Sequence, residues 1–217
     1  MKKTLLFVCL LALCRLTLLA QAGHSSRALH IAEKSAIHVP AQEVPVALKV
    51  IYKNLGSKTD AYNDTGGWAV VGPNAGLGFT EFMAMPFTPK ADSHVSEVQV
   101  AVEYKSGANQ VNLSIYNDSG GAPGTLLAGP VTVTGLPAEG TCCTLAVADF
   151  SPVAVDAGTQ YWVTADTPLT GTGSDFVGGW FWAPKPSYPL AHDKGSGWVG
   201  IDGSPGESAG EVLGTIP

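Results

Sequence analysis

The chain has 217 residues, with 12 basic against 18 acidic side chains and a formal net charge of −6. A surface that acidic repels phosphate backbones and offers no polybasic patch for anionic lipid, which argues against nucleic acid as a partner. The length suits one domain whose core is large enough to need no disulfide framework.

Met1-Lys2-Lys3 precede the almost wholly apolar Leu5–Cys14, and Leu16–Ala22 ends in Ala20-Gln21-Ala22. A basic start, a short apolar run and small residues before a cleavage point at Ala22 are the parts of a secretory signal peptide, residues 1–22. The apolar run is too short to span a bilayer and Arg15 interrupts it. No membrane span is therefore expected in the mature chain, whose expected location is extracellular or periplasmic. A lipoprotein would need a small residue before a cysteine, but Cys9 follows Val8 and Cys14 follows Leu13. Loss of Lys2, Lys3 and Arg15 leaves nine basic side chains against 18 acidic ones, a net charge of −9.

Gly23–Val44 has no sustained period and reads as a flexible leader; a helix over Arg27–Ala36 would be marginal alone. The domain proper is expected over 45–217. Its first strand falls near Val46–Tyr52, with Val46, Leu48, Val50 and Tyr52 on one side. Leu55–Gly67 reads as a polar loop, followed by extended Trp68–Val71 and Gly78–Phe87. The latter carries Met, Phe and Ala on both sides, as a central strand does. Val95–Tyr104 alternates Val98, Val100, Val102 and Tyr104 with Glu97, Gln99, Glu103 and Lys105, and turns at Ser106–Asn109 into Val111–Tyr116, an expected hairpin.

The most informative stretch is VNLSIYNDSGGAPGTLL, Val111–Leu127. Val111, Leu113 and Ile115 alternate with Asn112, Ser114 and Tyr116, and a loop of Asn, Asp, Ser, Gly and Pro follows. Pro123-Gly124 suits the central positions of a type II turn. Thr125–Leu127, Val131–Thr134, Thr144–Val147, Val153–Val155 and Thr159–Ala165 come next, then Phe176–Ala183, Gly197–Ile201 and Glu211–Ile216. Many short strands with recurrent Gly and Pro predict an all-β fold: a two-sheet antiparallel β-sandwich, jelly-roll-like, with an immunoglobulin-like sandwich as the alternative.

Past the signal only Cys142 and Cys143 remain, and they are adjacent. They rule out a long-range staple within the monomer. Two semi-buried thiols at a strand start and a vicinal disulfide formed in an oxidising compartment are the competing readings. No Lys, Arg or His in Glu139–Thr144 lowers a thiol pKa, which argues against redox catalysis.

The chain resembles the choice-of-anchor R domain proteins of bacterial surfaces. The matching residues are Val50-Ile51-Tyr52-Lys53-Asn54, Gly66-Gly67-Trp68, Met85-Pro86-Phe87-Thr88-Pro89, Ile115-Tyr116-Asn117-Asp118, Cys142-Cys143-Thr144-Leu145, Ala157–Val163 and Val212-Leu213-Gly214. They cover roughly residues 50–214, the cysteine pair being the most specific. The resemblance implies a secreted surface domain, often carrying a C-terminal sorting anchor in its relatives, and no enzymatic activity. Here the sequence ends at Pro217 without an apolar tail, so release into the medium or periplasm is expected.

Trp180 and Trp182 share one face of a strand, with Phe181 on the other. With Trp68 and Trp198 they would form a platform for pyranose rings, against the alternative of cross-strand packing within the sheets. Asp60, Asn63 and Asp64, and separately Asn117 and Asp118, supply oxygens beside glycines that would suit a structural Ca²⁺, although they are also ordinary turn residues. No cofactor is otherwise implied. Asn63, Asn112 and Asn117 each head a glycosylation triplet, idle in a bacterial chain. No G-x-S-x-G or H-E-x-x-H occurs, and His94 and His192 lie in polar sequence without metal-ligand spacing. The expected function is a secreted non-catalytic interaction module for an envelope or extracellular-matrix partner. A carbohydrate-binding module is the alternative, and a glycan-active enzyme a more distant one.

Overall fold

The computed structural model describes residues 47–185, 190–201 and 206–217. The signal peptide, the leader, the short helix expected within it and Val46 lie outside these residues. Thirteen strands follow one another: β1 Lys49–Lys53, β2 Asn63–Val71, β3 Phe82–Phe87, β4 Ser93–Val100, β5 Val102–Ser106, β6 Gln110–Asp118 and β7 Pro123–Thr134. The remainder are β8 Ala146–Val155, β9 Tyr161–Asp166, β10 Val177–Trp182, β11 Leu190–Asp193, β12 Trp198–Ile201 and β13 Gly210–Thr215. The described residues contain no helix long and apolar enough to cross a membrane.

The strands pair with one another antiparallel throughout, in a four-stranded sheet β1-β13-β4-β8, a three-stranded sheet β2-β10-β5 and a six-stranded sheet β12-β11-β3-β9-β6-β7. This is the expected all-β antiparallel sandwich. Only β6–β7 and β11–β12 join consecutive strands; every other neighbour is a crossover. The first two sheets are continuous through Ala101, where the chain passes from β4 to β5. Ala101 N donates to Ala209 O at 3.1 Å and Phe181 N donates to Ala101 O at 2.9 Å. The main core takes Val98, Val100 and Val102 from this layer, and Met83, Met85, Leu113, Ile115 and Val163 from the six-stranded sheet. Each of these side chains is withdrawn from water.

Several expectations are corrected. β1 turns Ile51 inward, while Leu48 and Val50 face out, because the strand sits at a sheet edge and its register with β13 shifts between Val50 and Tyr52. β5 and β6 do not form a hairpin: β5 pairs with β10, and β6 with β7 and β9, so the turn between them carries the chain from one sheet to another. Gly120 and Gly121, with φ of 67° and 86°, form the two-residue turn between β6 and β7, and Ser119 N donates to Ala122 O at 2.8 Å. Pro123 already pairs with Asp118 inside the ladder. Two successive positive φ values match the right-handed twist of a hairpin and clash with any Cβ, which places the turn on Gly-Gly and not on Pro123-Gly124.

Candidate functional site: a groove on the three-stranded sheet

The four tryptophans do not converge. Trp180 is fully buried and donates from Nε1 to Ala209 O at 2.9 Å, so it belongs to the core and not to an exposed platform. Trp68, opposite it across β2 and β10, is half-buried, donates from Nε1 to Gly206 O at 2.8 Å and meets Trp182 edge-on at 6.0 Å between ring centroids. Trp198 lies on β12 of the six-stranded sheet against Tyr116, at 6.4 Å. Both faces of β10 are packed at this end, since Phe181 is covered by Tyr62 at 5.9 Å. The packing alternative thus accounts for Trp180.

The oxygen clusters are turned to their own chain. Asn63 Oδ1 accepts from Thr65 N at 3.0 Å and from Thr65 Oγ1 at 2.7 Å, and Asn117 Oδ1 accepts from Thr125 N. Asp118 accepts from Trp162 Nε1 at 2.8 Å, Gln160 Nε2 at 2.9 Å and Gly121 N at 3.2 Å. Asp60 closes a tight turn through its backbone, with N donating to Ser57 O at 3.1 Å, and Asp64 stands in the groove described below. Among the described residues no three His, Cys, Asp or Glu side chains gather as metal ligands do. Asn63, Asn117 and Asp118 thus spend their oxygens on their own chain, as in the turn reading set beside calcium above.

Cys142 and Cys143 are joined as a vicinal disulfide. Their loop lies against the outer face of β5 and β10. Cys143 Sγ accepts from Ala61 N at 3.4 Å, and Glu103, expected to face solvent, is fully buried beneath the loop. Its carboxylate accepts from the Tyr62 hydroxyl at 2.7 Å and from Gly140 N. The carbonyls of Thr141 and Thr144 stand 3.3 and 3.4 Å from the same hydroxyl. Burial, then the bonded carboxylate, push the Tyr62 phenol far above its ordinary pKa, so it remains a donor at all physiological pH.

Beside this plug the sheet is bare. A groove of about 550 Å³ runs over β2 and β10. At the middle of its floor Gly67, Ala69 and Gly179 point no side chain larger than methyl outward, while Val71, Val177 and Phe181 of the same two strands line the groove around them. Leu77 and Phe79 stand on one wall, 52% and 50% exposed. Gly140 and the 2.8 Å ion pair of Lys105 Nζ with Glu139 Oε2 stand on the other, and Asp64 and Thr65 line the groove as well. Three of the four glycines on β2 and β10 here are there because a Cβ would collide. Gly66 would strike Trp182, Gly67 the Trp180 carbonyl at 2.9 Å, and Gly178 the Phe176 ring. Gly179 differs: its nearest neighbour would be Phe181 Cε2 at 3.4 Å, an ordinary contact, and its φ is not positive.

The alternation pattern missed this site, because Trp68 and Trp180 draw attention to the opposite face of the same strands. The signal available was the pair of Gly-Gly steps inside β2 and β10, since glycine in a strand interior weakens it and marks a bend or a close approach. Elsewhere the fold joins two groups that the sequence offered singly: His192 Nδ1 and Glu81 Oε1 lie 2.7 Å apart, with Lys194 Nζ 3.8 Å from Glu81 Oε2. This cluster is outside the groove lining.

In comparisons with known proteins, no family model and no curated protein matches the chain.

Proposed function

We propose that this protein is a non-catalytic interaction module working outside the cell, and that its contact surface is the groove on the three-stranded sheet. The observation that carries this reading is the pairing of half-exposed Leu77 and Phe79 with a shallow stretch of floor at Gly67, Ala69 and Gly179. Apolar side chains held in water beside a concave surface are characteristic of recognition sites. The signal-like N-terminus, the acidic composition and the resemblance of residues 50–214 to bacterial surface domains agree with it. A carbohydrate-binding reading survives in altered form, with half-exposed Phe79 beside polar side chains in place of Trp180 and Trp198.

The test is a screen of the secreted full chain against envelope polysaccharides, glycan arrays and matrix proteins, with Phe79→Ser and Leu77→Ser alongside. The expected result is saturable binding to at least one of them, weakened tenfold or more by Phe79→Ser while the melting temperature holds. Binding indifferent to both substitutions overturns the reading, as does turnover of the bound ligand faster than with heat-killed protein.

A further inference from the structure

We infer that the groove takes a neutral polysaccharide whose pyranose ring lies flat on the sheet over Gly179; this rests on the groove being the contact surface. The argument begins with that glycine. In the central strand of a three-stranded sheet it weakens the strand, because it loses more backbone freedom than any other residue and packs nothing. Neither usual reason for it applies here, since its φ is ordinary and a Cβ would fit against its neighbours. What a Cβ would alter is the floor, raising a methyl or larger group into the open groove. The remaining ground for glycine at such a position is the close approach of another molecule to the backbone.

The surroundings decide which molecule. Backbone N–H and C=O groups of β10 are already bonded to β2 and β5 on either side, so an extended peptide gains no ladder there, as strand addition requires a free edge. The floor instead presents C–H groups, and the half-exposed Phe79 ring stands beside it; both suit the C–H face of a sugar ring. Around them Asp64 and Glu139 accept hydrogen bonds, Lys105 donates and Thr65 does both, matching hydroxyls that donate and accept in turn. Two carboxylates against one ammonium, on a chain of net charge −6, repel an anionic ligand.

The test titrates the secreted full chain, read by isothermal titration calorimetry. The probes are soluble oligomers of β-linked glucose and of N-acetylglucosamine, with polygalacturonate as the anionic counterpart and oligolysine as the cationic one. Wild-type protein is expected to bind a neutral oligomer and neither charged polymer. Gly179→Val is expected to lose at least tenfold in affinity with a melting temperature equal to or above that of the wild type. Gly179→Ala, the smaller change, should lose less and serves if the valine variant fails to fold. Equal affinity in both glycine variants overturns the inference, as does tighter binding of either charged polymer or no binding of any neutral oligomer. If a matrix protein binds instead and Phe79→Ser abolishes that binding, the groove stands as the contact surface and the sugar assignment falls. If ligands bind and Phe79→Ser changes none of them, the underlying reading falls too.

Discussion

Two buried carboxyl groups show how differently a single residue can be accommodated. Glu103 keeps its place because Tyr62 and Gly140 N donate to it, and losing one donor exposes the desolvation cost of the other partner. Tyr62→Phe is therefore expected to cost about 1–3 kcal/mol in a urea titration. Asp166 is less well served. Burial raises its pKa from 3.8 to about 6, against a lowering bond from the Asn112 amide, and Asp193 adds repulsion. The folded state then holds this proton more tightly than the unfolded chain, so the contribution of Asp166 is most favourable below about pH 4 and declines as pH rises through about 6. Asp166→Asn should gain up to about 3 kcal/mol over the wild type at pH 8 and nothing at pH 3, measured by denaturant unfolding at both. Neither role was legible. Glu103 alternates with Val102 and Tyr104 as a solvent-facing residue would, and what buries it arrives from loops some 40 residues away on either side.

At the scale of elements, hydrophobic period located most strands, and turn chemistry located most of their ends. β3 was legible as a central strand because apolar residues fall on both its faces, and all six of its residues are buried. β11 was not, since Leu190-Ala191-His192-Asp193 is too short to show a period and is fixed by its neighbours β3 and β12. The β6–β7 turn lies three residues before Pro123-Gly124, because proline and glycine signal a turn regardless of which pair occupies its centre. The structure makes that distinction measurable. Gly120→Val puts a β-branched residue at positive φ and is expected to cost about 1–2 kcal/mol, read as a shift in the denaturation midpoint. The candidate site was less legible than the fold for a related reason. A groove is made by side chains that are missing, and an alternation pattern records only those that are present.

Across the whole molecule, the sandwich depends on pairings between distant parts of the chain. β13 lies between β1 and β4, joining the first described strand to the core, and Val212 within it is fully buried. Ending the chain at Ala209 would leave β1 without a neighbour and uncover one edge of β4. The expected outcome is loss of the cooperative thermal transition, followed by circular dichroism. The same pairing sets how the domain would answer to force. Lys49 stands opposite Gly214, so the two ends of the described domain emerge side by side. Traction applied between them would part the β1–β13 ladder one rung at a time from that end, as a zipper opens. Hung from a single end, the domain would carry none of this load, and a tether of that kind would leave the sandwich closed under flow.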